Sequence, residues 1–226
     1  MTKPAKSFTD TEALAIARCG SEQALADQLS KPATPAEVRA ITDDRWLSDF
    51  SKSVFQAGFS WKVVEDKWPA FERVFLQFDL PGCAAMSDEA LENTLKEEGI
   101  IRNWMKIKTI RDNARMLQDL SQHYGNLGTF FSDWQSTEYC DNVHQLAASG
   151  ARLGGKTAQL TLRRLGVDSL IYTNDVIAAL KREGVINSAP TSAKARTALQ
   201  QTLNQWMAES GRSLNEISKI LALSAG

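Results

Sequence analysis

The chain has 226 residues, 43% hydrophobic and 23% charged, which is enough for one sizeable core and too little for three domains. No apolar run approaches the roughly 20 residues that a membrane-spanning helix needs, so no membrane segment is expected. The formal charge of −1 leaves nucleic-acid binding to local charge, and Met1 to Asp10 lack the apolar core of a secretory signal, so a cytoplasmic protein is expected.

Taken in chain order, the first segment carries weak helical patterning at Leu14, Ala17, Leu25 and Leu29, which Pro32 and Pro35 are expected to stop. Leu47, Phe50, Val54 and Ala57 then form an apolar stripe on one helix face, with Thr42 or Asp43 as N-cap and Gly58 marking the end. Short helices are predicted near 70–77 and 88–97, separated by Pro81-Gly82 and Gly99. A long stripe follows at Ile107, Ile110, Ala114 and Leu117. Two more short helices are predicted at 157–165 and 174–183, ended by Gly166 and Gly184. Beyond Pro190, Ala195, Leu199, Thr202 and Trp206 share a face, and Leu214, Ile217, Ile220 and Ser224 suggest a last helix after Gly211. No stretch alternates long enough to be a convincing strand. The expected fold class is all-α, with about eight to ten helices. The expected organisation is an N-terminal helical segment over 1–41, a helical core over 42–187 and a C-terminal helical extension over 188–226 packed on that core.

Positive charge gathers in two places. Residues 102–115 hold Arg102, Lys106, Lys108, Arg111 and Arg115 against Asp112 alone, a local charge of +4. Residues 152–166 hold Arg152, Lys156, Arg163 and Arg164 with no acid, again +4. Such segments suit a phosphate backbone, because each phosphate neutralised by Lys or Arg releases counterions. Two solvated helix faces are the alternative.

Gly150-Ala151-Arg152-Leu153-Gly154-Gly155-Lys156-Thr157 fits the pattern G-x-x-x-x-G-K-T of a nucleotide-binding loop. That loop must follow a buried strand, and Asn142 to Ser149 contain no β-branched apolar run, so nucleotide hydrolysis is rejected. A tight glycine-rich turn with free amides, opening the basic helix 156–165, is expected instead. Such a turn can hold a DNA phosphate through backbone N–H groups and the helix dipole.

The middle of the chain resembles a known family. Phe55-Gln56-Ala57-Gly58-Phe59-Ser60-Trp61 is similar to the QAGLSW motif of the 3-methyladenine DNA glycosylase I family. Phe78-Asp79 with Ala84-Ala85-Met86, then Gly99-Ile100-Ile101-Arg102-Asn103, Lys106-Ile107 and Asn113-Ala114-Arg115, follow in the family's order. Leu162-Arg163-Arg164-Leu165-Gly166 and Gly184-Val185-Ile186-Asn187 complete the series, which covers about 140 of 226 residues. The resemblance implies a two-lobed, all-α helix–hairpin–helix DNA glycosylase fold that flips a damaged base from the duplex into a pocket.

On this resemblance, Phe59 is the apolar wedge that fills the gap left by the flipped base, with core packing as its alternative role. Trp61 matches the pocket Trp, on which an alkylated, positively charged purine can stack; core packing is again the alternative. Trp46 and Tyr172 are pocket-wall candidates, and Ser53 stands where the family has a pocket Glu. The DNA-binding residues implied are Phe59, Gln56, Arg102, Lys106, Gly154, Gly155, Lys156 and Thr157. The family's N-terminal Cys and His, and the His and Cys that close its structural zinc site, are not reproduced in 1–41 or after Asn187. His123 and His144 have no Cys at ligand spacing, so no metal and no cofactor are expected. Cys19, Cys83 and Cys140 read as reduced thiols.

Cleavage of an N-glycosidic bond passes through a sugar cation that a carboxylate can stabilise. Asp175 lies 19 residues after Lys156, near the superfamily spacing for that carboxylate, although a small slip would put Thr173 there. An exposed or capping Asp at the start of a helix is its alternative role. Glu97-Glu98 reads as a solvated helix end, and Cys83 lacks the nearby His that a nucleophile needs. The expected function is a monomeric base-excision glycosylase that acts on double-stranded DNA carrying an alkylated, 3-methyladenine-like base. A catalytically inactive or differently specific DNA-binding relative is the alternative.

Overall fold

The computed structural model describes residues 7–225; Met1 to Lys6 and Gly226, the ends of the two expected terminal segments, lie outside the described residues. The chain is helical in the order α1 (Phe8–Cys19), α2 (Glu22–Ala26), α3 (Pro35–Arg39), α4 (Asp43–Gln56), α5 (Trp61–Val74), α6 (Leu80–Ala85) and α7 (Asp88–Thr94). There follow α8 (Trp104–Tyr124), α9 (Leu127–Ser132), α10 (Tyr139–Ser149), α11 (Thr157–Arg164), α12 (Asn174–Arg182), α13 (Ala193–Ser210) and α14 (Leu214–Ala225). Among the described residues the only extended pairing is one isolated bridge, Ala57 to Phe59, so the all-α expectation holds. The helices number more than expected because four of them, α2, α3, α6 and α9, are only five or six residues long.

Proline explains two further differences. Pro35 begins a helix where a stop was expected: it sits at the first turn of α3, whose Thr34 and Glu37 form a reciprocal capping box. α5 starts at Trp61 and runs through Pro69, so the helix expected near 70–77 is the end of a longer one. It ends because Leu76, Gln77 and Phe78 all adopt left-handed φ (57°, 56° and 60°). Arg45 Nη2 donates to the Gln77 carbonyl at 3.0 Å and helps to hold that turn.

The fold divides into two compact units, each built from segments distant in sequence. Of the described residues, one comprises 7–33, 134–144 and 166–225; the other comprises 34–133 and 145–165. In the first, α14 packs on both α1 and α12, so the first and last helices share one core. Leu214, Ile217 and Ile220 are fully buried there, as are Leu199 and Trp206 of α13.

In the second unit α8 is the central helix. Its stripe of Ile107, Ile110, Ala114 and Leu117 is wholly buried, and it packs on α4, α6 and α9. α4 buries Leu47, Phe50 and Val54, and α11 packs against it. Phe55, Trp68, Phe71, Phe75 and Phe78 form a contiguous aromatic cluster, with Trp68 stacked on Phe71 at 4.9 Å and on Phe78 at 5.4 Å.

Candidate functional site

The turn between α4 and α5 is built by its helix ends. The last α4 carbonyls cannot bond within the helix. Ala57 N–H donates to the Ser53 carbonyl at 3.1 Å, and Gly58 N–H to the Gln56 carbonyl at 2.9 Å. Gly58 has φ +121°, a conformation that side-chain-bearing residues avoid. Lys106 takes the remaining carbonyls: its Nζ lies 2.8 Å from Val54 O, 3.2 Å from Phe55 O and 2.9 Å from Ala57 O. The same ammonium sits 4.8 Å from the centre of the half-buried Phe59 ring. Trp61, at the first position of α5, is 54% exposed and is therefore not a core residue.

Several expected contacts turn inward. Lys106 is 7% exposed, and its three donors are occupied by protein carbonyls, so this geometry makes it a helix cap instead of a phosphate contact. Burial, and secondarily the nearby charge of Arg152, hold its ammonium below the usual lysine range. Gln56 is also buried: its amide donates to Glu65 Oε1 at 3.1 Å and accepts from Arg164 Nη2 at 2.7 Å. Arg164 continues to Asp49 at 2.8 Å. Ser53 is 3% exposed, and its Oγ accepts from Thr161 Oγ1 at 2.7 Å. Trp46 is fully buried and stacked on Phe131 at 4.1 Å, so it belongs to the core and not to a pocket wall.

The glycine-rich segment forms a tight turn after helix α10, not after a strand, in line with rejecting a nucleotide-binding loop. Asn113 of α8 clamps it from both sides: Ala151 N–H donates to its Oδ1 at 2.7 Å, and its Nδ2 donates to the Ala151 carbonyl at 3.1 Å. Gly150 packs so closely that a Cβ there would lie 2.4 Å from Leu153 Cδ1, and Leu153 is itself fully buried. Arg152 and Gly155 take positive φ, 59° and 62°. Gly154, Gly155 and Lys156 are exposed, and among the described residues their N–H groups make no hydrogen bond. Thr157 differs from its expected role: it is buried, and its N–H donates to the Gly154 carbonyl at 3.3 Å.

The two basic segments are thinner than their charge suggests. Arg111 is 7% exposed and paired with Asp88 at 2.6 Å, and Arg115 donates to the Ala84 carbonyl at 3.0 Å. Among the described residues, Arg102, Lys108, Arg115, Arg152 and Lys156 are the exposed cations of these segments for which the structure gives no ion pair, and Arg115 is held by the Ala84 carbonyl. Lys108 and Arg152 were counted in these segments but not among the implied DNA-binding residues, because nothing in the sequence distinguishes them from their inward-turned neighbours. Asn113 was legible only as part of a motif.

Tyr172 and Asp175 belong to the other unit. The half-buried Tyr172 donates through its hydroxyl to Cys140 Sγ at 3.5 Å, and burial pushes its phenol above the ordinary range. Thr173 caps α12, donor Val176 N–H reaching its Oγ1 at 3.1 Å, while Asp175 lies exposed in the first turn. This is the helix-start arrangement anticipated as its alternative role. The residues do not fit a zinc site: Cys83 donates to the Phe75 carbonyl and is buried, Cys140 is engaged by Tyr172, and Gln28 bonds Cys19. Among the described residues no group of three or more His, Cys, Asp or Glu is arranged to hold a metal ion.

Two solved structures place the fold in a class. Over 68% of this chain and 92% of its own, 3-methyladenine DNA glycosylase I from Staphylococcus aureus superposes with a TM-score of 0.51 at 18% identity. The 8-oxoguanine glycosylase/lyase of Methanocaldococcus jannaschii, solved with a 15-mer DNA containing 8-oxoguanine, covers 94% of this chain and 95% of its own, with a TM-score of 0.52 at 15% identity. The fold is thus that of the helical DNA glycosylases. The family profile described as methyladenine glycosylase matches residues 40–193, more than half of the chain, and the chain belongs to that family. A curated relative, DNA-3-methyladenine glycosylase 1 of Escherichia coli (strain K12), is 40% identical over 68 residues, 30% of this chain and 36% of the relative. The match therefore spans about a third of that relative's length.

Proposed function

We propose that the protein is a DNA N-glycosylase that extrudes an alkylated, cationic purine of the 3-methyladenine type from duplex DNA and hydrolyses its glycosidic bond. The observation that carries the reading is Trp61, an indole 54% exposed beside a braced turn, within the stretch matched by the methyladenine glycosylase profile. The exposed indole leaves a flat apolar face on which a planar base can stack. An electron-rich indole face attracts a positively charged base more than a neutral one.

Each remaining part has a physical task. Phe59 enters the base stack, offsetting the few kcal/mol lost when a base leaves it. The unbonded amides of Gly154, Gly155 and Lys156, at the start of α11, accept a phosphate, and the exposed side chains of Lys156 and Arg102 supply neutralising charge. A cationic base is already a good leaving group, so modest electrostatic help at the sugar suffices. Asp175, in the first turn of α12, keeps its helix-start role in this reading.

Trp61→Ala should abolish release of methylated purine while duplex affinity stays within about threefold of the parent, since phosphate contacts dominate that affinity. Retained release in Trp61→Ala would remove the pocket role of this residue.

A further inference from the structure

Lys106 lies in the first turn of α8, where a cation is disfavoured by that helix's own dipole, and it is almost completely withdrawn from water. Something must repay both penalties. A lysine ammonium has three donors, and all three here meet carbonyls at one place, Val54, Phe55 and Ala57, at the end of α4. Those carbonyls are the groups left over once Ala57 and Gly58 N–H have bonded Ser53 O and Gln56 O. The cation thus completes the α4 terminus, where it also complements the α4 dipole. Its fourth neighbour is the Phe59 ring, 4.8 Å from Nζ, with the Phe55 ring at 5.8 Å.

We propose that Lys106 is the positioning residue of the Phe59 turn: one buried ammonium closes the end of α4 and, through the ring above it, fixes where Phe59 points. The inference rests on reading Phe59 as the residue that enters the base stack. It adds a division of labour, in which the outer cations hold DNA and this inner one holds the tool. A neutral side chain of the same length would leave three inward carbonyls without donors and the ring without its cation. The turn would then relax to several conformations, because Gly58 imposes little constraint of its own.

The test uses the full chain with 4-fluorophenylalanine at position 59, in the parent and in Lys106→Met, Lys106→Arg and Lys106→Gln. Fluorine NMR without DNA reads the ring directly. The parent should give one sharp resonance, and Lys106→Met a displaced, broadened or multiple one. With a duplex carrying 2-aminopurine beside an abasic-site analogue, the rise in fluorescence on unstacking should fall about tenfold in Lys106→Met, the scale expected when a few kcal/mol of unstacking loses its support. Its affinity for plain duplex and the salt slope of that affinity should stay within about twofold of the parent. Lys106→Arg, which restores the cation, should recover the unstacking signal to within about threefold. Should Lys106→Met fail to fold, Lys106→Gln, which keeps a polar donor without charge, takes its place.

A salt slope lowered by about 0.9 in Lys106→Met would make Lys106 a phosphate contact and overturn the proposal. An unchanged fluorine spectrum, or a Lys106→Arg no better than Lys106→Met, would overturn it as well. A fluorine resonance that moves with Lys106 while the parent shows no unstacking would uphold the positioning and overturn the stacking role of Phe59. The two failures are therefore distinguishable.

Discussion

Thr161 Oγ1 donates to Ser53 Oγ at 2.7 Å, a buried hydroxyl pair that ties α11, the helix opened by the glycine-rich turn, to α4, the helix that leads into Phe59. Ser53, expected from the resemblance to stand where the family has a pocket carboxylate, is 3% exposed and bonded within the protein. It behaves as a strut. Ser53→Ala and Thr161→Val should each cost about 1 kcal/mol in denaturant unfolding, and the double variant should show coupling of similar size. The kcat/KM for base release by Ser53→Ala, measured where the protein is fully folded, should stay within about threefold of the parent because no substrate contact is lost. A larger fall would put Ser53 in contact with the base.

The charge count overstates the DNA-binding surface, and salt dependence separates the two groups of cations. Lys156→Ala and Arg102→Ala should each reduce the slope of log affinity against log salt by about 0.9. Arg164→Ala, which breaks contacts to Asp49 at 2.8 Å and Gln56 at 2.7 Å, should leave the slope unchanged and lower stability instead. The same holds for Arg111→Ala, which leaves Asp88 without its partner. Slopes that fall equally in all four variants would mean that the paired arginines exchange their protein partners for DNA phosphates.

Acid should weaken the link between α4 and α5. Glu72 is pushed up by burial but held below its ordinary value of 4.5 by hydrogen bonds from Arg45 and Ser48, at 2.8–2.9 Å and 2.7 Å. A carboxyl lowered in the folded state stabilises the protein above the unfolded value, and that contribution is lost as pH falls through the folded value. Unfolding free energy should therefore decline below about pH 4.5 in the parent. In Arg45→Met it should be lower by about 1 kcal/mol at pH 7, a figure kept small because Arg45 is 42% exposed, and the acid decline should be shallower. An identical acid profile in the two proteins would show that the pair contributes nothing.

The left-handed turn at 76–78 stores removable strain. Gln77 is exposed with φ 56°, and its side chain makes no contact that the turn needs; Arg45 reaches its carbonyl, which any residue supplies. Gln77→Gly should raise stability by about 1 kcal/mol in thermal unfolding, since glycine adopts this φ without steric cost. Destabilisation would mean that chain entropy outweighs the strain relieved.

Periodicity made the long helices legible. The stripes at Ile107 to Leu117 and Leu214 to Ile220 are buried as expected, because a 3.6-residue repeat reports directly which face meets a core. Short helices such as α3 and α6 span too few residues for a repeat to show, and are set by caps: Thr34 for one, and Asp79 for the other, which accepts from Gly82 N–H at 2.8 Å. The interleaved units were not legible, since nothing local in α1 encodes its distant partner α14. For the site, chain order carried the α4–α5 turn and the glycine-rich turn. What it could not carry was direction. Lys106, Arg111 and Arg164 look like Arg102 and Lys156 in a sequence, and only three-dimensional neighbours decide which of them are already bonded within the protein.

The most direct test of the central claim is chromatography of free bases released by the purified protein from methylated duplex DNA, with abasic sites counted on the same sample. The account predicts release of 3-methyladenine in a one-to-one ratio with abasic sites, and loss of both in Trp61→Ala. Tight binding of the same DNA with neither free base nor abasic sites above the protein-free control would contradict it.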